Sequence, residues 1–237
     1  MNRWVLASSN PGKLKEFQHA LALVLTARGL TLVNQSELGI PSAEEPHQTF
    51  EENALAKARH ASALSGSPAF ADDSGICVAA LNGAPGVRSA RYWPDMLSLL
   101  SDASKTGSAL ATRIASAQPL LQGLSTDEAN LRWLLLEMKH AQESQFDNVE
   151  PPESFWDCAF HAAIAFVRSA DDPNPVIVTG VWNARVIPSP QGEGGFGYDP
   201  IFFDRDLKMT AAEMSVAQKQ AVSHRGKALR KLLEAVL

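Results

Sequence analysis

Two adjacent carboxylates, Asp72 and Asp73, sit inside the apolar stretch Phe70-Ala71-Asp72-Asp73-Ser74-Gly75-Ile76. Ionised acids are costly in such surroundings unless a cation or a set of donors compensates them. Three arrangements fit the letters: an ordinary acidic turn, half of an aspartic-protease dyad with Asp-Ser-Gly at its core, or a metal-binding carboxylate at a strand end. A dyad needs two carboxylates that share a proton. The chain has no second Asp-Thr/Ser-Gly, and the residue before Asp73 is another Asp instead of a large apolar one. The protease reading falls. A carboxylate at a strand end, near loops that bind phosphate, is how a Mg²⁺ site is usually built. Successive strand side chains point to opposite faces, so only one of the two acids can face a given site. One of the pair would then serve the site, and the other, on the opposite face, would orient the turn or hold a nearby Lys.

Four other stretches carry usable chemistry. Ser8-Ser9-Asn10-Pro11-Gly12-Lys13 lies at a strand-to-helix junction, where exposed amides, a helix dipole, small hydroxyls and a first-turn Lys suit a phosphate. The spacing is not that of a Walker A loop, and the plain alternative is a capped helix with a solvated Lys. Gly192-Glu193-Gly194-Gly195-Phe196-Gly197 matches Gly-x-Gly-x-x-Gly by letter. Pro188 and Pro190 before it and Asp199-Pro200 after it exclude a dinucleotide fold. Such a loop could still let backbone approach a ligand and offer Phe196 or Tyr198 to a base, or it is a flexible connector. Ser223-His224-Arg225-Gly226 opens a helix with two donors where the macrodipole favours acids, which points to a compensating anion or acceptor-rich group. Glu44-Glu45 stands in a loop just before the helix that carries Lys57, and loop acids are often merely solvated.

The elements that must position these residues follow from pattern. Arg3 to Ser8 reads as a short buried strand, followed by Asn10 as N-cap and Pro11 at the first helical position. Leu14, Phe17, Leu21 and Val24 recur at helical spacing, with Gly29 as C-cap. Thr49 with Glu52 forms a capping box for a helix through Ala63 that stops near Gly66. Ala69 to Ala71 is a strand predicted to end at the aspartates, Ile76 to Leu81 extends onward, and Asn82-Gly83 marks a turn. Asp157 to Arg168 and Val176 to Ile187 read as an antiparallel hairpin. Ser125 starts a helix to about Lys139, and Ser223 caps a helix to Leu237. Residues 94–123, rich in Ser, Ala and Leu, read as a mobile helical insertion. The mixture of βα units and long antiparallel strands gives an α/β fold with a mixed sheet.

Composition bounds the class. The chain has 237 residues, 45% apolar and 20% charged, which is ordinary for one large domain or two small ones. No secretory leader pattern opens the sequence, and the run Leu21 to Leu25 is too short for a bilayer. A soluble cytoplasmic protein without membrane partners is expected. Cys77 and Cys158 form no metal-ligand pattern and are taken as reduced thiols. A net charge of −5 argues against a nucleic-acid coat but not against a small anion, which needs only a few placed cations.

The ordered blocks Ser8 to Lys13, Ser42 to Glu45, Phe50 to Arg59, Ala71 to Gly75, Gly83 to Gly86 with Ser89 to Tyr92, Gly194 to Phe202 and Ser223 to Gly226 together resemble the inosine triphosphate pyrophosphatase family. The match runs along nearly the whole chain except residues 94–123. The resemblance implies a single domain over 1–237, a long mixed sheet split into two lobes around a central cleft and flanked by helices, and a homodimer. It implies hydrolysis of ITP, dITP and XTP to monophosphate and pyrophosphate with Mg²⁺. By position, Asp73 would be the catalytic base, with Glu45 and Asp73 on the metal. Ser8, Ser9, Asn10, Lys13, Lys57, Ser74 and Lys219 would hold phosphates or base. Phe196 would stack on the purine, in the loop with Gly197 and Tyr198, and Asp199, His224 and Arg225 would help read its edge. Two alternatives stand beside this: a non-catalytic purine-nucleotide sensor, and a pyrophosphatase for pyrimidine or modified nucleotides.

Overall fold

The computed structural model describes residues 3–100, 108–147 and 149–237. Seven strands form a mixed sheet flanked by helices, in the order β2-β1-β3-β4-β5-β6-β7. They are β1 (Arg3–Leu6), β2 (Thr31–Asn34), β3 (Ala69–Val78), β4 (Asp157–Val167), β5 (Val176–Val186), β6 (Phe202–Asp204) and β7 (Met209–Thr210). The chain divides into two compact units. One comprises Met1–Ser74, Phe160–Trp182 and Ser215–Leu237, and the other Gly75–Ala159 and Asn183–Met214.

In the first unit, β1 pairs in parallel with β2 and with β3, where Val5 is opposite Ala69 and Leu6 opposite Phe70. Strand alternation then sorts the core into two layers. Trp4, Leu6 and Phe70 pack with Phe17, Leu21 and Leu25 of α1 (Pro11–Ala27) and with Ala228, Leu229 and Leu232 of α7 (His224–Val236). Val5, Ala7, Ala69 and Ala71 face Ala54, Ala58 and Ala61 of α2 (Phe50–Ser65). The α2 contact is built largely from alanine on both sides, so helix and sheet approach closely. Asn10 caps α1 by accepting from the Lys13 amide, with Pro11 at the first helical position. Thr49 caps α2, Glu51 and Glu52 occupy its positive end, and Gly66 closes it in the left-handed conformation.

Glycine at position 180 of β5 is required by α7. A Cβ there would lie 2.1 Å from the His224 carbonyl oxygen and 2.8 Å from the Ala228 nitrogen. The bare backbone lets the first turn of α7 settle on the strand. Ser223 accepts from the Gly226 amide to cap that turn. The preceding helix, α6 (Val216–Val222), has Ser215 and Gln218 in a reciprocal capping box.

The second unit contains α3 (Tyr92–Leu100), α4 (Ala109–Leu121) and α5 (Thr126–Phe146). Strand β6 runs antiparallel to both β5 and β7. Trp93 of α3 meets Trp133 of α5 with ring centroids 5.1 Å apart. Buried Asn130 accepts from the Trp93 amide and donates to the Ala90 carbonyl.

The structure revises two expectations. Strand β3 does not stop at the aspartates but runs on to Val78, because each carboxylate finds cations on its own face and neither needs a turn to reach water. Helix α5 continues to Phe146, seven residues past the expected end at Lys139, with no breaker between. Within residues 94–123, residues 101–107 lie outside the described residues. Helical as expected, the rest of this stretch contributes to α3 and α4, with buried faces at Met96, Ile114, Ala117 and Leu121, and Arg113 of α4 pairs with Glu137 of α5.

Candidate active site

Alternation along β3 decides the fates of its two acids. Asp72 has the parity of Phe70 and meets α1 and α7, whereas Asp73 has the parity of Ala71 and meets α2. Asp72 Oδ2 lies 2.7 Å from Lys13 Nζ, and its Oδ1 lies 3.4 Å from Arg225 Nε. Ser74 donates to Asp72 Oδ2 at 2.9 Å and accepts from Arg225 Nη2 at 2.8 Å. Glu16, one turn beyond Lys13 on α1, binds Arg225 Nη1 and also lies 2.9 Å from Lys219 Nζ. Burial opposes ionisation of Asp72, but Arg225 and Lys13 overcome it and hold the carboxyl well below the usual carboxylate range.

Asp73 has a poorer supply of charge. Its Oδ1 accepts from Lys57 Nζ at 3.1 Å, and the same ammonium lies 2.8 Å from Glu45 Oε1. Asn53 Nδ2 donates to Asp73 Oδ2 at 3.1 Å. Burial raises the Asp73 carboxyl above its ordinary value and outweighs Lys57 and Lys13, with the like charge of Glu45 adding to the rise. Burial works against the Lys57 ammonium too, yet Asp73 and Glu45 together raise it. One cation serving two acids explains why both partners move upward.

Lys13 is lowered by burial, with Lys57 and Arg225 adding like-charge repulsion that Asp72 does not offset. An arriving anion would relieve this. His224 is buried and kept neutral, well below the usual imidazole value, by burial and then by Arg225. Its ring stacks on Phe160 at 4.7 Å and 19°, and its buried Nδ1 has no hydrogen-bond partner among the described residues.

The first unit therefore brings together Lys13, Glu45, Lys57, Asp73, Ser74, Lys219 and Arg225 through direct polar contacts or shared partners, with His224 beside Arg225 at the start of α7. Ser8 accepts from the Asn10 amide, Asn10 is committed through its oxygen to the α1 cap, and Ser9 is exposed. Phe196, Gly197, Tyr198 and Asp199 belong to the second unit. There the Asp199 carboxylate accepts from the Phe196 amide, and Asp127 from the Gly197 amide. The Tyr198 ring is buried, with its hydroxyl donating to the Ser89 carbonyl. The second unit also holds a cavity of about 580 Å³ lined by Cys77, Cys158, Asp157, Asn183 and Arg205, among others, which contains none of the candidate residues. Among the described residues no group of three or more His, Cys, Asp or Glu side chains is arranged to hold a metal ion. No helix among them is long and apolar enough to cross a membrane.

The Ham1 family pattern matches residues 4–235. The chain belongs to the Ham1 family. It is 48% identical over 235 residues to a dITP/XTP pyrophosphatase of Ralstonia nicotianae, covering 99% of this chain and 96% of that protein. It is 43% identical to a dITP/XTP pyrophosphatase of Nitrosomonas europaea, covering 99% and 94%. Among solved structures, a Ham1 protein from Coxiella burnetii superposes with TM-score 0.73 at 35% identity, covering all of this chain and 98% of that one.

Within this Ham1 chain, sequence reasoning missed two polar residues that organise the charges. Glu16 joins Arg225 to Lys219, and Asn53 holds Asp73. A signal for each was present in the helical spacing. Glu16 follows Lys13 by three residues on α1, and Asn53 precedes Lys57 by four on α2, so each pair shares a helix face.

Proposed function

We propose that this chain hydrolyses non-standard purine nucleoside triphosphates, dITP, XTP and ITP, to the monophosphate and pyrophosphate. Water attacks the α-phosphorus, the α–β anhydride breaks, and pyrophosphate leaves. The observation that carries this reading is Asp73: a buried carboxylate, raised by burial, that shares the Lys57 ammonium with Glu45. A carboxylate so placed can accept a proton from water nearer to neutral pH than an ordinary Asp. Lys13, whose ammonium is lowered by burial, gains from a phosphate anion, and Ser8, Ser9, Asn10, Lys57, Ser74 and Lys219 join it around the phosphates. Phosphoryl-type transfer depends mostly on such positioning and charge.

The donor set fits Mg²⁺. Glu45 and Asp73 already converge on one cationic atom, Lys57 Nζ, and Mg²⁺ characteristically takes one or two carboxylates together with waters and phosphate oxygens. When bound, Mg²⁺ supplies neutralisation of the charge that develops on the leaving pyrophosphate. For the base, a purine 6-oxo group accepts hydrogen bonds from donors such as Arg225, whereas the 6-amino group of adenine would leave them unpaired, with a discrimination of up to about 10⁴-fold. His224 shares this role. By the family resemblance, Phe196, in the loop with Gly197 and Tyr198, would provide the stacking ring, and Asp199 an acceptor for a purine ring N–H. A homodimer, which the family resemblance implies, is checked by light scattering.

The deciding experiment measures pyrophosphate release from ITP, dITP, XTP, dUTP, dTTP and the four standard ribonucleotides, with and without Mg²⁺. Release confined to the inosine and xanthine nucleotides is expected. Binding without release from any nucleotide would make the chain a sensor, and preference for dUTP or dTTP would make it a pyrimidine pyrophosphatase.

A further inference from the structure

We infer that Asn53 is the positioning residue that fixes the spacing between Glu45 and Asp73; the inference rests on the reading of that pair given above. Asn53 is fully buried, and three polar contacts engage its carboxamide. Its Oδ1 accepts from the His47 amide at 3.0 Å, and its Nδ2 donates to the His47 carbonyl at 3.2 Å. The same Nδ2 donates to Asp73 Oδ2 at 3.1 Å. One side chain thus grips the loop backbone two residues after Glu45 and one oxygen of the acid on β3.

Lys57, one helical turn later, makes the parallel connection, from Glu45 Oε1 to Asp73 Oδ1. The two bridges differ in kind. The ammonium lies at the end of a flexible stem and carries a charge that phosphate oxygens attract, so the arriving substrate competes for it. The amide is short, neutral and saturated on the loop side, so nothing in an anionic substrate competes for it. When Lys57 turns to phosphate, Asn53 still keeps the loop and β3 in register. It also occupies Oδ2, which leaves Oδ1 as the Asp73 oxygen that faces the chemistry. Groups that orient metal-binding carboxylates in this way typically affect metal affinity or rate by about 10–100-fold when removed.

The test uses the full chain with Asn53→Ala and Asn53→Asp. The Asp variant keeps the acceptor for the His47 amide but replaces the donor to Asp73 with a further acceptor. Three quantities are read: kcat and KM for dITP, Mg²⁺ binding by calorimetry without nucleotide, and exchange of the His47 amide with solvent deuterium. We expect kcat to fall about 10–100-fold in both variants, and the Mg²⁺ dissociation constant to rise by a similar factor. The KM for dITP should stay within about threefold, because the Asn53 carboxamide is engaged by His47 and Asp73. The His47 amide should be protected in the wild type, exposed in Asn53→Ala and still protected in Asn53→Asp. Folded variants with kcat and Mg²⁺ affinity within twofold of wild type would overturn the inference, as would a rise in KM at unchanged kcat. An unprotected His47 amide in the wild type would overturn it without any variant. If the wild type turns over no nucleotide, the proposed function fails, while Mg²⁺ binding and His47 protection still decide the role of Asn53.

Discussion

Asp72 and Asp73 are covalent neighbours whose carboxyls are displaced in opposite directions, Asp72 downward and Asp73 upward. Both are buried, so burial alone cannot separate them. The difference lies in the cations each face of β3 supplies: Lys13 and Arg225 to Asp72, and one Lys57, shared with Glu45, to Asp73.

This division predicts opposite outcomes for two isosteric substitutions. Asp72→Asn leaves Lys13 and Arg225 short of a buried partner, and breaking a buried pair in this way costs about 3–5 kcal/mol. Its melting temperature should fall accordingly. Asp73→Asn removes a carboxylate whose raised value means that folding disfavours its ionised form, so at pH 7 the variant should melt no lower than wild type. The same Asp73 variant should bind nucleotide and release almost no pyrophosphate. Near wild-type turnover would remove Asp73 from the mechanism.

His224 sets a pH dependence on stability. Its native form stays neutral far below the ordinary imidazole value of about 6.5, whereas the unfolded chain takes up a proton there. The unfolded state therefore binds more protons below that pH, and stability falls on acidification by up to about 1.4 kcal/mol per pH unit from this residue. Urea midpoints compared at pH 7.5, 6.5 and 5.5 should fall less steeply in His224→Gln than in wild type. Equal slopes would show that His224 contributes nothing to the dependence.

Gly180→Ala tests how closely α7 must sit on β5. The added methyl meets backbone atoms of His224 and Ala228, which cannot rotate away. Overpacking of this kind costs about 1–3 kcal/mol, and it displaces the turn that carries Arg225. Thermal melts should show the loss, and selectivity for XTP over ATP should narrow, although residue 180 has no side chain near a ligand group.

Removal of divalent metal should separate catalysis from folding. Lys57 already sits between Glu45 and Asp73, so these acids are bridged by a cation without metal. Chelation is expected to abolish pyrophosphate release while moving the melting temperature by no more than a few degrees. A collapse of the fold on chelation would instead mark the metal as structural.

Much of this was legible in the sequence, for identifiable reasons. Caps at Asn10, Thr49, Ser125 and Ser223 gave helix starts that the structure reproduces, because a capping side chain acts within three residues of itself. The assignment of Asp72 and Asp73 to opposite faces needed only strand periodicity. The extent of β3 was not legible, since the cations that allow two acids inside a strand come from α1, α2 and α7, all distant in sequence. The pairing of Arg225 with Glu16 spans 209 residues, and no local pattern reports a contact of that reach.

The alanine contact between α2 and the sheet acts as a mechanical tolerance. Ala54, Ala58 and Ala61 meet Ala69, Ala71, Ala163 and Ala165 through methyl groups that have no rotamer to shift, while the longer Phe50 and Leu55 of α2 pack only partly buried beside them. Enlarging any of them by two methyl groups moves the helix axis itself, and Asn53 and Lys57 travel with it as a rigid pair. The distance over which Asp73 is held is thus set by residues with no polar atom in their side chains, and hydrolysis should be lost through Ala58→Val with every charged group still in place.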